Sequence, residues 1–313
     1  MILNDFLVQT KTGLFCIYGN FYLDPKQPVA HAVISHAHGD HATSGNVNVY
    51  CTRPTSLFMQ HRYKIFAAVN FNIYDYSQHF DVNGVRISFI PAGHILGSAQ
   101  VLMEYRGVRY LYTGDYKLQE DPTCEPILFI QADVLITETT FANPNTRHPV
   151  AENEILKLND TPINIMLGAY ALGKSQRIIN LISRHCIEKR ILVHHTILPF
   201  VKIYEQLGIY VGNYEPYDRR VVKNNPRNLI YLVSPMVFGS SMKPVNMMRA
   251  FATGWKDLQK SNNIQLYVSD HADWYDIIHT VDQVKPREVW TTHGEGMLLK
   301  SHYQNTLVVK LLN

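Results

Sequence analysis

His36-Ala37-His38-Gly39-Asp40-His41 is the stretch on which the fold turns. Three imidazoles and one carboxylate fall within six consecutive positions. The run before it, Ala30-His31-Ala32-Val33-Ile34-Ser35, is apolar enough to be a buried strand. A strand that ends in a burst of metal-ligand residues puts them on a loop at its C-terminal edge. Layered α/β folds carry their function there. Such a loop can curl so that His36 and His38 face one point while Asp40 and His41 face another. That suits two neighbouring metal ions, the arrangement used to cleave phosphoesters and activated carbonyls. A polar surface loop is the competing reading. Chance clustering of this kind is rare, and the chain supplies further ligands in suitable contexts.

Those further ligands repeat one pattern: a strand, a polar ligand, and glycine nearby. His94 lies in Pro91-Ala92-Gly93-His94-Ile95-Leu96-Gly97-Ser98. Asp115 lies in Tyr112-Thr113-Gly114-Asp115, and His293 in Trp290-Thr291-Thr292-His293-Gly294. Any one of them alone is more often a hydrogen-bonded structural residue. Strands of one sheet ending on one edge would bring them all together. They then fit a two-metal set: three His for one ion, Asp plus two His for the other, and a carboxylate between. Asp24 ends the strand-like run Phe21-Tyr22-Leu23 and can hold a ligand histidine by its second ring nitrogen. Glu138 follows another strand. His271, in Ser269-Asp270-His271-Ala272-Asp273, suits a proton donor to a leaving group, with a carboxylate on its other nitrogen.

Composition sets wider bounds. At 313 residues the chain can bury a large core in one domain or two. Its 29 basic and 26 acidic residues give a net charge of only +3, which neither demands nor excludes a polyanionic partner. Cys16, Cys51, Cys124 and Cys186 are scattered, with no CxxC pair, and read as reduced thiols of a cytoplasmic protein. Met1-Ile2-Leu3-Asn4-Asp5 has no basic start and no apolar core, so a signal peptide is not expected. No apolar run approaches membrane-spanning length.

The first half reads as β-rich. Strands are expected at Phe15–Tyr18, Phe21–Leu23, Arg86–Ile90 and Asp133–Thr137. Val101–Tyr105 and Val108–Tyr112 form a hairpin turning at Gly107. From about Val150 to Thr253 helices and strands alternate: strands at Ile163–Leu167, Arg190–Val193 and Asn228–Val233, and a helix from Lys174 to Lys189. This βαβ pattern implies a small parallel sheet of its own. After Trp255 come a strand (Ile264–Val268), a helix (Trp274–Val284), a strand (Glu288–Thr292) and a final helix and strand.

At this point the motifs resemble a known family. The series His36-Ala37-His38-Gly39-Asp40-His41, His94 and Asp115 resembles the metallo-β-lactamase fold. Glu138-Thr139-Thr140-Phe141, His271 and His293 resemble the three added motifs of its nucleic-acid-processing branch, the β-CASP nucleases. Ala92-Gly93-His94-Ile95-Leu96-Gly97-Ser98-Ala99-Gln100, Tyr170-Ala171-Leu172-Gly173-Lys174-Ser175-Gln176-Arg177, Thr253-Gly254-Trp255 and Ser269-Asp270-His271-Ala272-Asp273-Trp274 are similar to bacterial ligase-associated DNA exonucleases, also described as mRNA 3′-end processing factors. The resemblance covers nearly the whole chain. It implies an α/β fold, an αββα sandwich over 1–148 and 254–313 with an inserted β-CASP-type cap over 149–253. It implies His36, His38 and His94 on one metal, Asp40, His41 and His293 on the other, and Asp115 bridging. Asp40 counts with His271 and Glu138 among the catalytic groups, and Glu138 works with His271 as a pair. Artemis-like DNA nucleases carry an apolar residue where this chain has His293. RNA-processing enzymes carry His-Gly-Glu, as in His293-Gly294-Glu295, but so do ligase-associated ones.

The expected chemistry is phosphodiester hydrolysis. Hydroxide activated by two divalent ions attacks phosphorus in line, and His271 protonates the departing 3′-oxygen. Imidazole and carboxylate ligands suit zinc, with manganese as the other candidate. Gly173-Lys174-Ser175 opens a helix, so Lys174 and Ser175 are candidates for gripping a strand phosphate; a solvated first-turn lysine is the alternative. His194-His195 is read as structural. Three functions compete: a DNA exonuclease in repair, an RNA-processing endo- or exoribonuclease, and a catalytically silent nucleic-acid-binding subunit. The last is the weakest, because every expected ligand is present. The resemblance implies DNA or RNA as substrate, an ATP-dependent DNA ligase and a helicase as functional partners, and no membrane partner.

Overall fold

The computed structural model describes residues 1–224, 227–240 and 246–312. The strands are β1 (Leu7–Gln9), β2 (Leu14–Cys16), β3 (Phe21–Leu23), β4 (His31–Val33), β5 (Asn46–Cys51), β6 (Ala68–Ile73), β7 (His79–Val82), β8 (Val85–Pro91), β9 (Ala99–Tyr105), β10 (Val108–Tyr112), β11 (Val134–Glu138), β12 (Asn164–Gly168), β13 (Arg190–Val193), β14 (Glu215–Pro216), β15 (Leu229–Val233), β16 (Met247–Ala252), β17 (Ile264–Leu266), β18 (Glu288–Thr292) and β19 (Val308–Leu311). The α-helices are α1 (Arg53–Tyr63), α2 (Ala151–Leu156), α3 (Lys174–His185), α4 (Leu198–Gln206), α5 (Arg219–Lys223), α6 (Pro235–Phe238), α7 (Trp274–Val284) and α8 (Met297–His302). Contacts divide the chain into two units. The first holds Met1–Leu118, Glu125–Arg147 and the chain from His271 onward; the second holds Gln119–Cys124 and His148–Asp270. The segment 149–253 lies within the second unit, which also takes 119–124 and 254–270.

The first unit is built on two sheets, ordered β1-β2-β3-β4-β5-β6 and β19-β18-β11-β10-β9-β8-β7. β11 explains their packing. Val134 and Ile136 join a buried cluster with Phe21, Leu23 and Val33 of the first sheet, whereas Leu135 joins Ile277 and Val281 of α7. Successive side chains of a strand point to opposite faces, so a strand buried on both sides reads as an unbroken apolar run. On the far side of the first sheet, Met59 of α1 packs with Ala32, Ile34, Val49 and Cys51. The layers are therefore helix, sheet, sheet, helix. Each large apolar side chain buried this way contributes about 1.5–3 kcal/mol.

Both sheets change from antiparallel to parallel where the function-bearing loops leave them. β8, β9 and β10 pair antiparallel, but β10, β11 and β18 are parallel, with Tyr112 opposite Ile136 and Glu138 opposite Thr292. β3 and β4 are likewise parallel, with Leu23 opposite Val33. Parallel neighbours end on the same edge. The residues that follow β10, β11 and β18 must therefore emerge side by side.

The second unit has a six-stranded, all-parallel sheet, β14-β13-β15-β12-β16-β17. The βαβ alternation predicts such a sheet. Helix α3 stops at His185, short of the expected Lys189. Its C-cap Cys186 is buried and leaves helical geometry, and Ile187, read as part of the apolar face, is exposed. The chain has to turn here to enter β13 at Arg190. All four cysteines are free thiols, and burial pushes the Cys16 thiol up to about 11. Among the described residues no helix is long and apolar enough to cross a membrane.

Helix α7 matches its expected span because its signals agree. Asp273 caps it, accepting from the amides of Tyr275 (2.9 Å) and Asp276 (3.1 Å), and Trp274, Ile277, Val281 and Val284 form the buried face. Burial and the neighbouring Asp273 push the Asp276 carboxyl up to about 6. A folded-state value above the ordinary carboxylate one means that the folded chain holds this proton more tightly than the unfolded chain. The resulting stability is complete below about pH 4 and lost as pH rises through about 6. Asp276→Asn should therefore raise the melting temperature relative to the parent at pH 7–8 and not at pH 4. A gap between the two melting curves that stays constant from pH 4 to 8 would refute this.

Candidate metal centre

The His36 loop is held from both ends. Ala37 and Ala42 are fully buried, the Ala42 and His41 amides both return to His38 O, and Arg62 of α1 donates to Ala37 O. The loop carrying Asp115 reaches it through Gly114, whose φ is +55° and where a Cβ would lie 2.8 Å from Ser35. Only glycine allows both that conformation and that approach.

Asp115 is the hub. Its Oδ2 lies 3.6 Å from His36 Nε2, 3.4 Å from His41 Nε2, 3.8 Å from His94 Nε2 and 3.8 Å from His271 Nδ1. Its Oδ1 lies 3.7 Å from His293 Nδ1. The imidazoles also face one another. His36 Nε2 is 3.1 Å from His38 Nδ1, which is 3.0 Å from His94 Nε2. The rings of His41 and His293 stand edge to face at 4.9 Å. Among the described residues four groupings have their ligand atoms within 4.8 Å of one another: the two expected donor groups, His36–His38–His94–Asp115 and His41–Asp115–His293, and also Asp24–His36–His41 and Asp115–Glu138–His271.

The outer ring nitrogens are fixed as well. Asp24 Oδ2 sits 2.8 Å from His41 Nδ1; it also accepts from Tyr112 Oη at 3.0 Å and from Ser35 Oγ. Ser35 Oγ lies 3.0 Å from His36 Nδ1. Each ring is thereby aimed with Nε2 towards Asp115, as a positioned ligand requires. Burial, aided by the like charge of His41, holds the His36 imidazole well below its ordinary value. Burial opposes charge on His41 too, but Asp115 and Asp24 outweigh it and hold that imidazole well above the ordinary value. Burial alone would raise Asp115, yet His41 and His271 beside it keep its carboxyl well below the usual range. His293 is lowered, by burial and then by His41. Its φ of +50° is rare for a non-glycine residue, and such strain concentrates at functional sites.

This donor set fits two divalent cations. Nitrogens about 2.0–2.1 Å from a tetrahedral zinc stand roughly 3.3–3.4 Å apart, close to the 3.0–3.1 Å found here. A carboxylate shared by both groups also fits a bridging role. Asp40 stands apart: its side chain is 81% exposed and Oδ2 is 3.7 Å from His41 Nε2. It lies at the rim of the His41 group and not within it.

Beside the hub sits a second pair. Glu138, fully buried, lies 3.0 Å from His271 Nδ1 through Oε2, accepts from Thr140 Oγ1 at 2.6 Å, and takes the Tyr116 amide on Oε1 at 3.0 Å. Three contacts fix the carboxylate, and the carboxylate fixes the ring.

Lys174 and Ser175 do not form the expected phosphate grip. Both side chains are buried in the second unit. The Lys174 ammonium donates to Val268 O at 2.6 Å and pairs with Asp270 at 3.0 Å, and Ser175 Oγ donates to Tyr170 O. The amides that a helix start would offer an anion are also taken, that of Lys174 by Leu172 O and that of Ser175 by Tyr170 O. Arg177 completes this buried network, donating to Ser269 O and Asp270 Oδ1 at 2.8 and 2.9 Å. His194 bonds locally to Thr196, as a structural residue does.

The chain is similar to several known proteins. No protein-family model matches the chain. A probable DNA ligase of Opitutus terrae is 28% identical over 92% of this chain, which spans 29% of that protein. An RNase J-like protein of Methanocaldococcus jannaschii is 23% identical over 84% of this chain and 81% of its own length. The endoribonuclease ysh1 of Aspergillus fumigatus is 34% identical over 36% of this chain and 14% of that protein. A crystal structure of a protein of unknown function from Enterococcus faecalis shares the fold, with a TM-score of 0.61 at 13% identity over 93% of this chain and 80% of that one. The layered fold and the histidine and aspartate cluster are those expected from the resemblance to the metallo-β-lactamase fold. Two of these relatives are named as nucleases of RNA, and the longest of the matches in this chain is to a segment of a probable DNA ligase.

Chelator-stripped protein should take up two divalent ions per chain. His94→Ala and His293→Ala should each take up one, and Asp115→Ala should weaken both. Elemental analysis after dialysis and calorimetric titration measure this. Equal uptake by His94→Ala and the parent would contradict the assignment.

Proposed function

We propose that this chain is a metal-dependent phosphodiesterase acting on DNA, an exonuclease of repair. In this reading the first unit is the αββα catalytic domain, and the second unit, which contains 149–253, is an inserted β-CASP-type cap. His36, His38, His94 and Asp115 would hold one ion. His41, His293 and Asp115, with Asp40 from the rim, would hold the other. Bound zinc, or manganese, would supply an activated water and neutralise charge at phosphorus. The chain's own part is positional. Asp24 aims His41, and Ser35 aims His36. Glu138 keeps His271 Nδ1 engaged, so the proton for the departing 3′-oxygen comes from Nε2. The products are a 3′-hydroxyl and a 5′-phosphate. The observation that carries this reading is the Glu138–His271 pair, 3.0 Å apart and 3.8 Å from the Asp115 hub. An acid beside a metal centre is what hydrolysis of an unactivated alkoxide ester needs.

DNA is favoured by the match over 92% of this chain to a segment of a probable DNA ligase, and an ATP-dependent DNA ligase and a helicase are the proposed partners. RNA is the second reading, favoured by the RNase J-like and endoribonuclease relatives. The four free thiols support a cytoplasmic setting in this reading.

Metal-loaded protein given matched end-labelled DNA and RNA, single- and double-stranded, separates the two readings. Shortening of DNA one nucleotide at a time supports the first. Cleavage confined to RNA supports the second, and no cleavage of either overturns both. His271→Ala should keep its metals and its affinity for nucleic acid while turnover falls about a hundredfold or more. On a nitrophenyl phosphodiester, whose leaving group needs no proton, the loss should largely disappear. Loss of metal, or equal loss on both substrates, would place His271 among the ligands.

A further inference from the structure

A buried lysine in the first unit has no part in the chemistry above. Lys117 is 2% exposed, two residues beyond Asp115. Its ammonium donates to the carbonyls of two consecutive residues, Gly93 O and His94 O, both at 2.6 Å. The backbones meet at the same place: a Cβ on Gly93, whose φ is +75°, would lie 2.6 Å from Lys117 O. The opposite side of the His94 loop is held by Ser98, whose Oγ accepts the amides of His94 at 3.1 Å and Ile95 at 3.2 Å.

Burying an ammonium is costly unless strong acceptors receive it. Two of the acceptors that Lys117 meets are the carbonyls that flank and include a candidate ligand, and its own backbone follows the carboxylate hub. The geometry points to Lys117 as the positioning residue that locks the His94 loop to the Asp115 loop and so fixes the pocket His36–His38–His94–Asp115. We infer that it sets the affinity of that pocket for its ion and leaves the His41–His293 side untouched. The inference rests on the two-metal reading of the site.

The test is metal titration of chelator-stripped protein with zinc, read by calorimetry, in two backgrounds. In His293→Ala only the three-histidine pocket remains. There Lys117→Met should weaken zinc by roughly 10- to 100-fold, the usual cost of losing a group that orients a ligand. In His94→Ala only the other pocket remains, and Lys117→Met should leave its affinity within about twofold. Lys117→Gln, which keeps one donor, should fall between parent and Met in the first background and serves where the Met variant does not fold by circular dichroism. Unchanged zinc affinity in the His293→Ala background, or equal weakening in both, would overturn the inference and leave Lys117 a stability residue. If parent protein takes up no zinc, or His94→Ala takes up as much as the parent, the two-metal reading fails and the inference falls with it.

Discussion

A single buried carboxylate organises the first unit. Asp115 lies within 3.4 to 3.8 Å of nitrogens from five histidines, drawn from four separate stretches of chain. Taking a carboxylate out of water is unfavourable by several kcal/mol unless opposite charge surrounds it. His41, held well above its ordinary value by Asp115 and Asp24, supplies part of that charge, whereas burial works against protonation of His36 and His293. The arrangement is internally consistent when cations fill the spaces that the rings face. Every supporting feature acts on this point. Gly114 lets the Asp115 loop reach Ser35, Asp24 turns His41 inward, and the parallel register of β10, β11 and β18 delivers Asp115, Glu138 and His293 to one edge.

Much of this was legible in the sequence, for a physical reason. A strand buried on both faces shows as a short apolar run, and a strand that ends at a site shows as a run stopped by a ligand. β11, β18 and α7 carry such signals and appear within a residue of expectation. The first sheet's outer strands β5 and β6 and the helix α1 were not legible. Asn46–Cys51 and Ala68–Ile73 mix Asn with Val and Phe, because the edge strand β6 has partly exposed faces. Local patterning cannot mark a strand whose burial depends on neighbours far along the chain.

The site divides in the same way. Residues that bind through their own chemistry announce themselves: histidines and acids after strands came together as expected, and Asp24 stands against a ligand's second nitrogen. Residues that act by geometry do not. Ser35, Ser98, Thr140 and Tyr112 are ordinary polar residues until the fold brings them within hydrogen-bond reach. Lys174 misled for the opposite reason. A lysine after glycine at a helix start looks like an anion site, but the Asp270 carboxylate, distant in sequence, claims it inside the core.

That contrast bears on how cations are used in this chain. Lys117, Lys174 and Arg177 are all buried, and each donates to backbone carbonyls. Lys174 and Arg177 also share one carboxylate, Asp270, at 3.0 and 2.9 Å. Replacing such pairs with apolar residues is often neutral for stability, so they are poorly explained as stabilisers. A charged donor differs from an apolar side chain in directing a backbone to one geometry. Lys117 directs the peptides around His94 in the first unit, and Lys174 and Arg177 direct Val268 and Ser269 within the second. In the first unit a buried cation thus stands beside the backbone of a candidate functional histidine, where small errors of position matter most.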